Sequence, residues 1–345
     1  MDWYEVALNS NTKEIKSQVY YLRLHCNFFL HKLRFSWRVK IEKTEIRKDY
    51  FQDNYVIIAP KRAKRPHKVY RKEEDQLSVC YFCPDHTESQ EVVKTYGGKG
   101  KDWDVLVIEN KYPALTLDNP KAYGKQEVII ETPFHNKEIH ELSLDNIVRV
   151  IDVYIDRYVA LRKMEDIRYV LVFKNEGGKA GASIAHSHSQ IMALPMVPPE
   201  IEREYEAYAK YLIDRGKCPY CDIIEQERDK NRVIIEDEHF LVFCPYASQF
   251  VYGVWFLPKR HINHMHEMTE AEKISLARAL KKVLAKLDDI DVAYNYFFHN
   301  AVNDEDYHMH LKLEPRPNIW AGLELGTGVI INSVMPEEAA KFYRK

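Results

Sequence analysis

Two stretches of the chain carry apolar residues at the spacing of an amphipathic helix. In the first, the apolar positions of residues 144–158 fall on one face, three or four residues apart. In the second, the apolar stripe covers residues 274–287, and Thr269 with Glu272 makes a capping box at its start. Both stretches are therefore predicted to be helices that pack one face against a core.

Short apolar runs flank each of these helices in the same order. The run before each helix ends at a proline, Pro133 or Pro258, and a longer run follows the helix. Runs of this length, rich in aromatic and β-branched residues, are typical of buried strands. The predicted strands cover residues 105–108, 127–130 and 167–173 in the first half, and 233–235, 240–243, 254–257 and 292–298 in the second. We therefore predict an α+β fold of two tandem repeats, each a mainly antiparallel sheet with a packed helix.

The repeat divides the chain into three parts. Residues 1–43 lie outside it and are predicted to be an N-terminal extension. The first repeat is predicted to span residues 44–199 and the second residues 200–345, with the boundary after a proline-rich stretch. Residues 200–213 have the pattern of a helix that connects the two repeats.

The composition constrains partners and location. Lys plus Arg number 50 and Asp plus Glu 52, a balance that argues against a general nucleic-acid binder, whose affinity rests on a basic surface. No stretch reaches the roughly 18–20 apolar residues that span a bilayer, so no membrane partner is expected. Four of the six cysteines form two C-x-x-C pairs, a spacing more typical of metal binding in an intracellular protein than of disulfides. We therefore expect a cytoplasmic protein.

Each repeat carries the same series of cysteines and histidines: a C-x-x-C pair, a single histidine, and a His-x-His motif. Two thiolates and two imidazoles make the tetrahedral ligand set that zinc prefers. A redox role for the C-x-x-C pairs is the minor alternative. The two predicted zinc sites are Cys80, Cys83, His135 and His186 in the first repeat, and Cys218, Cys221, His261 and His308 in the second.

The ligand set of the second site has alternatives. His264 or His266 can complete it in place of the predicted single histidine. A different or additional metal can be held by Glu204, His299 and His310. In the plainer interpretation, His299 and His310 are satisfied polar residues without a metal.

His188 follows a predicted metal ligand by two residues on a predicted strand. Side chains alternate between the faces of a strand, so His186, His188 and Gln190 project to one side. A neutral histidine nitrogen is a competent nucleophile toward phosphorus, and the Gln190 amide can donate to a phosphoryl oxygen. The glycine-rich loop of residues 174–183 leads into this strand and lets backbone N–H groups approach phosphates. His188 is therefore predicted to be a nucleophile that works beside Gln190.

The second repeat keeps both histidines, but the glutamine and the glycine-rich loop of the first repeat are replaced. Lys312 stands where Gln190 stands in the first repeat. The preceding loop, residues 300–306, has three acidic residues and no glycine, and acidic side chains repel a phosphate. We therefore predict that the second repeat is a structural metal unit without a catalytic histidine.

The duplicated pattern resembles the galactose-1-phosphate uridylyltransferase family within the histidine-triad superfamily, over roughly residues 44–345. The segments that carry the resemblance are residues 45–48, 55–66, 109–114 and 186–190. It implies that His188 is the nucleotidylated nucleophile and that Gln190 orients the phosphate. It also implies a set of residues that bind the nucleotide, the phosphates and the sugar: Arg62, Arg65, Asn110, Asn175, Gly181, Ala182, Ser183 and Gln190.

The resemblance implies a two-step exchange. His188 attacks the α-phosphorus of UDP-glucose, glucose 1-phosphate leaves, and galactose 1-phosphate then takes the uridylyl group from His188. A covalent intermediate makes ping-pong kinetics the expected signature. The implied partners are a nucleotide sugar and a sugar 1-phosphate, and the implied assembly is a homodimer.

Three features depart from the best-known members of the family. Residues 186–190 read His-Ser-His-Ser-Gln in place of His-Pro-His, Ala182 stands where cysteine is common, and residues 321–332 lack a glutamine used on the sugar phosphate. They keep open a second reaction through the same histidine, that of a phosphorylase of ADP-sugars or dinucleoside polyphosphates. A third alternative is a zinc-stapled binding protein without enzymatic activity.

Overall fold

The computed structural model describes residues 43–64, 79–98, 100–303 and 305–345. Thirteen strands and six α-helices lie within these residues. The strands are β1 (Glu45–Lys48), β2 (Tyr55–Ile58), β3 (Val92–Gly97), β4 (Trp103–Glu109), β5 (Lys125–Ile130), β6 (Tyr169–Glu176), β7 (His188–Leu194), β8 (Val233–Glu236), β9 (Phe240–Phe243), β10 (Val254–Pro258), β11 (Tyr294–His299), β12 (His310–Pro315) and β13 (Ile330–Asn332). The helices are α1 (Leu144–Arg162), α2 (Pro199–Arg215), α3 (Pro219–Glu227), α4 (Glu270–Asp288), α5 (Gly322–Thr327) and α6 (Pro336–Arg344).

Ten strands form one continuous antiparallel sheet in the order β3-β4-β5-β7-β6-β11-β12-β10-β9-β8. The first five strands in this order belong to the first repeat and the last five to the second. Read from the centre outwards, the two halves have the same order. β6 and β11 pair at the centre, with Asn175 opposite Asn295. The predicted α+β fold of two mainly antiparallel repeats is confirmed, and the two repeats share a single sheet.

The two long helices cover one face of this sheet. Ser143 caps α1 by accepting a backbone N–H, and Thr269 with Glu272 forms the predicted capping box of α4. The predicted apolar stripes are buried: Ile151 in α1 and Leu284 in α4 have no exposed surface and belong to one core with side chains of both repeats. Truncation of such a residue, for example Leu284→Ala, costs about 2–5 kcal/mol of folding stability.

A smaller sheet joins the two ends of the described chain. β1 pairs antiparallel with β2, and β13 pairs parallel with β2. Arg47 in β1 is 4% exposed, and its Nη1 lies 3.1 Å from the Glu337 carboxylate in α6. Arg232 reaches the same carboxylate at 2.8 Å. This partly buried ion-pair network attaches the small sheet to the second repeat.

Some boundaries differ from those expected. β7 begins at His188, so His186 lies just before the strand, although the Glu131 amide still donates to the Ser187 carbonyl at 3.1 Å. The edge strand β3 was not expected, because its mostly exposed residues have little apolar pattern. The predicted extension of residues 1–43 lies, except for its last residue, outside the described residues. No helix in the described ranges combines the length and the apolarity that a membrane crossing needs.

Candidate active site and metal centres

The first predicted zinc set comes together as a compact cluster. The Cys83 Sγ lies 3.5 Å from His135 Nδ1 and 3.7 Å from His186 Nδ1, and the Cys80 Sγ lies 3.7 Å from His186 Nδ1. Zinc–sulfur and zinc–nitrogen bond lengths with tetrahedral angles imply sulfur–nitrogen separations of about 3.6 Å. His186 donates from Nε2 to the Thr132 carbonyl at 2.7 Å, which leaves Nδ1 as the metal-binding atom. The donor set therefore fits a tetrahedral metal ion.

The second set repeats this geometry. The Cys221 Sγ lies 3.5 Å from Nδ1 of both His261 and His308, and the Cys218 Sγ lies 3.7 Å from His308 Nδ1. His308 donates from Nε2 to the Pro258 carbonyl at 2.8 Å, matching the bond of the first-repeat ligand. The structure thus places His261 with the two cysteines. The alternative ligand His264 points elsewhere, since its Nδ1 lies 2.9 Å from the Tyr158 hydroxyl.

His188 is held in one tautomer with one nitrogen open. Its Nδ1 donates to the His186 carbonyl at 2.8 Å, so the lone pair is on Nε2. Within the described part of the chain, Nε2 makes no hydrogen bond, and the Phe82 ring packs edge-on against the imidazole at 5.1 Å. Burial, reinforced by the Lys174 charge, lowers the pKa of His188. The ring therefore has the features of a neutral nucleophile, and it lies next to the first cysteine–histidine cluster.

Gln190 lies two residues further along the same face of β7. The Gln126 amide donates to Gln190 Oε1 at 2.9 Å, so the Gln190 NH2 group is the part available to donate to a ligand. Gln126 also accepts at its carbonyl from the Asn110 amide at 3.2 Å. Sequence reasoning missed Gln126, which links the predicted nucleotide-binding Asn110 to the predicted phosphate-orienting glutamine.

The predicted phosphate loop, residues 174–183, begins with the last three residues of β6 and continues toward β7. Gly177 and Gly181 have φ angles of 81° and 88°, values that favour glycine. The Ala182 amide donates back to the Gly177 carbonyl at 3.2 Å, and Ser183 is exposed. The side chain of Asn175, at the start of the loop, accepts from Asn295 of the second repeat at 2.8 Å. The loop that carries these predicted residues therefore leads directly into the His188 strand.

The predicted arginine pair is described only in part. Arg62 is exposed in a short 3-10 helix, Pro60–Lys64, that directly follows β2. Its backbone amide donates to the Ala59 carbonyl at 2.9 Å. Arg65 lies outside the described residues. The exposed position of Arg62 is compatible with the phosphate contact that the resemblance implies and equally with a solvated basic run.

A buried ion pair supports His188 from the opposite face of the sheet. Lys174, 1% exposed, lies 2.6 Å from the Glu131 carboxylate and donates to Ser187 Oγ at 2.9 Å and to the His188 carbonyl at 3.2 Å. Burial opposes ionisation of Glu131, but the adjacent ammonium holds the pKa of that carboxyl below its usual range. Ser189 also donates to this carboxylate. Sequence reasoning missed the pair, because its two members are 43 residues apart.

The strand register identifies the second-repeat counterpart of His188. Phe173 pairs with Gln190 between β6 and β7, and Phe297 pairs with Lys312 between β11 and β12. His310 therefore takes the place of His188. It makes the same tautomer-fixing bond, from Nδ1 to the carbonyl two residues earlier, at 2.9 Å.

The surroundings of His310 differ from those of His188. Its Nε2 lies 3.2 Å from the Glu204 carboxylate, and burial lowers its pKa to about 4. Glu204 also binds Lys312 at 2.6 Å and lies 3.1 Å from His299 Nδ1. Although burial opposes its ionisation, Lys312 and His299 hold the pKa of Glu204 well below its usual range. The structure thus brings Glu204, His299 and His310 into one buried group that can hold a metal, and the Glu204 carboxylate lies against Nε2 of His310.

The fold and the two cysteine–histidine clusters define a tandem histidine-triad-like protein, in which the His-x-His motif of the first repeat has an open Nε2 at His188. The family description "Galactose-1-phosphate uridyl transferase, N-terminal domain" matches residues 34–198, and the corresponding C-terminal domain matches residues 204–317. The chain belongs to the galactose-1-phosphate uridylyltransferase family of nucleotidyltransferases, which confirms the resemblance found in the sequence.

Two relatives in this family are equally similar to the chain. The ADP-glucose phosphorylase of Arabidopsis thaliana is 32% identical over 335 residues, covering 89% of this chain and 94% of the relative. The galactose-1-phosphate uridylyltransferase of Thermotoga maritima is 32% identical over 328 residues, covering 87% of this chain and 98% of the relative.

Solved structures show the same two branches. The Arabidopsis ADP-glucose phosphorylase with bound ADP-glucose has a TM-score of 0.79 at 32% identity and covers 88% of this chain and 99% of its own. A uridylyltransferase structure has a TM-score of 0.70 at 30% identity and covers 87% and 97%.

Proposed function

We propose that the chain is a UDP-glucose–hexose-1-phosphate uridylyltransferase that works through a uridylyl group on His188. The observation that carries the proposal is the open Nε2 of His188, with its tautomer fixed by the His186 carbonyl. The Gln190 amide and the loop that holds Asn175 lie beside it on the same side of the sheet. The match to named uridylyltransferases supports the choice of substrates.

In the first step, the Nε2 lone pair of His188 bonds to the α-phosphorus of UDP-glucose. The bond from this phosphorus to the bridging oxygen breaks, and glucose 1-phosphate leaves with the electron pair. The ring then carries a positive charge, which the Nδ1–H bond to the His186 carbonyl stabilises. In the second step, a phosphate oxygen of galactose 1-phosphate attacks the same phosphorus, and Nε2 recovers its lone pair.

Different polar groups of the chain are proposed to bind different parts of the substrate. Gln190 is proposed to donate to a non-bridging oxygen of the reacting phosphate, with its orientation set by Gln126. In the loop from Gly181 to Ser183, the Gly181 and Ala182 amides donate to carbonyls of the loop itself. The Ser183 backbone amide and the side chain of Asn175 are therefore proposed to hold the remaining phosphate oxygens. Arg62, together with the predicted Arg65, Asn110 and Ala182, completes the proposed substrate-binding set.

The two thiolate–imidazole clusters are proposed to hold zinc. Cys80, Cys83, His135 and His186 would bind one ion in the first repeat, and the corresponding four residues would bind one in the second. When bound, zinc supplies a rigid anchor for the strand rather than a reactive group. The second repeat has a further candidate set in Glu204, His299 and His310 for a different metal.

A phosphorylase reaction is the second candidate function. The structure of the Arabidopsis ADP-glucose phosphorylase has the higher TM-score of the two described above. This reaction uses the same attack by His188 but takes ADP-glucose as donor and inorganic phosphate as acceptor. A non-enzymatic binding protein is disfavoured, because a purely structural duplication gives no reason for one histidine to be open and the other occupied.

The test is to incubate the protein with UDP-glucose or ADP-glucose, each labelled at the α-phosphate, and to measure acid-labile label on the protein. Retained label from UDP-glucose, discharged by galactose 1-phosphate, supports the uridylyltransferase. Label from ADP-glucose, discharged by inorganic phosphate, supports the phosphorylase instead. No retained label from either donor would contradict both. His86→Ala, which removes an exposed histidine near the first cluster, is the matched control and should label normally.

The domain organisation, the location and the assembly of the protein are proposed together with this function. Residues 44–199 form the catalytic unit, residues 200–345 the unit with the second metal site, and residues 1–43 an extension. The enzyme is expected to act as a cytoplasmic homodimer. Its near-balanced charge supports small phosphorylated substrates rather than nucleic acid as partners.

A further inference from the structure

The phosphate loop of the first repeat is attached to the second repeat. In β11, the Asn295 Nδ2 group donates to Asn175 Oδ1 and to the Ala180 carbonyl, both at 2.8 Å. These two acceptors lie at the start and in the middle of the loop. A side chain cannot be added at Gly177, since its Cβ would lie 2.8 Å from the Cβ of Ala293. The second repeat therefore holds the loop through two hydrogen bonds and leaves no room for a side chain at Gly177.

Asn295 is itself held by Arg316. The Arg316 Nε donates to Asn295 Oδ1 at 2.5 Å, so the Asn295 NH2 group is turned toward the loop. The Arg316 guanidinium also lies 3.3 Å from the Glu314 carboxylate and 4.6 Å above the Phe250 ring. Its backbone amide donates to the Ala293 carbonyl at 2.7 Å. These contacts hold Arg316 in place, and Arg316 in turn holds the Asn295 side chain in one orientation.

We propose that Asn295, oriented by Arg316, is a positioning residue that sets the phosphate loop for nucleotide transfer to His188. The inference rests on the proposed function of that loop and histidine. Its chemical reason is that Asn295 fixes the carbonyl oxygen of Asn175. The Asn175 NH2 group is then the donor that faces a phosphate, while the Gly181 and Ala182 amides hold the shape of the loop through its own carbonyls. The second repeat thereby contributes to the reaction without a catalytic residue of its own.

The experiment measures the rate of protein–nucleotide adduct formation in a single turnover at saturating nucleotide sugar. Asn295→Ala is expected to slow this rate about 10- to 100-fold, because small misplacements of binding groups have effects of this size. Asn295→Asp keeps the shape but lacks both N–H donors, so it should show a similar loss. The melting temperature and the metal content are expected to stay near wild type.

Asn300→Ala is the matched control. Asn300 is an asparagine of the same repeat whose Oδ1 accepts from the Met265 amide at 2.8 Å. Its loss should lower the melting temperature but leave the adduct rate at saturation unchanged. An equal slowing in Asn300→Ala and Asn295→Ala would mean that general destabilisation is responsible, and would overturn the proposal.

A double-mutant cycle tests the role of Arg316. If Arg316 acts through Asn295, Arg316→Ala should slow the wild type but add nothing in the Asn295→Ala background. If the rate reductions of the two single variants multiply in the double variant, Arg316 acts independently of Asn295, and its positioning role is overturned. A wild type that labels normally, with Asn295→Ala at the same rate, refutes this inference alone. A wild type that forms no adduct refutes the proposed function beneath it.

Discussion

The two repeats hold their histidines in the same way but give them different surroundings. His188 and His310 each donate from Nδ1 to the carbonyl two residues earlier, at 2.8 and 2.9 Å. The Nε2 atom of His188 has no hydrogen-bond partner among the residues that the structure describes, whereas that of His310 lies 3.2 Å from Glu204. One carboxylate from the connecting helix α2 therefore separates an open histidine from an occupied one. We infer that the strand beside each cysteine–histidine cluster is a common scaffold, and that the groups around its histidine decide its use.

The opposite face of the sheet differs as strongly. Below His188, Ser187 and Ser189 surround the buried Lys174–Glu131 ion pair. At the positions of the second repeat that correspond to Lys174, Ser187 and Ser189, the buried apolar residues are Phe298, Met309 and Leu311. A buried charge pair is costly to desolvate and is weak evidence for stability. The buried pair of the second repeat, Lys312–Glu204, lies on the His310 side of the sheet instead.

The largest expected effect comes from removing the open histidine. His188→Ala should reduce turnover by at least about 10³-fold, since the nucleophile that forms the covalent intermediate is lost. Metal content should remain near wild type, because His188 is not among the cluster ligands. Turnover assays and metal analysis check this together. Loss of metal along with activity would show that His188 is a ligand and not the nucleophile.

Cysteine substitutions compare the two clusters directly. Cys80→Ser and Cys218→Ser should each lose about one metal ion per chain and lower the melting temperature, since structural metal binding is coupled to folding. Only Cys80→Ser is expected also to slow adduct formation at His188, because its cluster anchors that strand. The measurements are metal content, thermal unfolding and adduct rate. Full metal occupancy in either variant would remove that cysteine from the ligand set.

The buried ion pair can be broken from one side or removed altogether. Lys174→Met should cost about 3–5 kcal/mol of folding stability, since it leaves the Glu131 carboxylate buried without its cation. Adding Glu131→Gln should recover part of this loss, so that the double variant is more stable than the single one. Chemical denaturation of both variants gives the comparison. A double variant that is less stable than Lys174→Met would show that the carboxylate is satisfied by its hydroxyl donors alone.

A smaller effect is expected from placing the first repeat's glutamine in the second. Lys312→Gln removes the 2.6 Å ion pair with Glu204 and should cost about 1–3 kcal/mol. It should not create a second labelled histidine, because Glu204 still occupies the Nε2 side of His310. Denaturation and adduct counting check both statements. Two adducts per chain would show that Lys312, and not Glu204, prevents adduct formation at His310.

Local spacing was enough to predict much of the site. The repeat, the capping box at Thr269 and the pairing of each C-x-x-C with later histidines follow from residue type and order, and the structure places those ligands together. Gln126 and Asn295 could not be predicted from the sequence, because their roles depend on which residues lie opposite them in neighbouring strands. A single polar residue in a strand carries no signal of its cross-strand neighbour. Such long-range pairs become visible only once the sheet order is known.

The central claim is that one imidazole of the four in the two His-x-His motifs takes the nucleotide. The most direct measurement is mass spectrometry of peptides after incubation of the wild-type protein with a nucleotide sugar and no acceptor. The account predicts one nucleotide monophosphate adduct, on the peptide that contains His188, with the peptide that contains His310 unmodified. An adduct on His310 or on any other residue, or no adduct from either UDP-glucose or ADP-glucose, would contradict it.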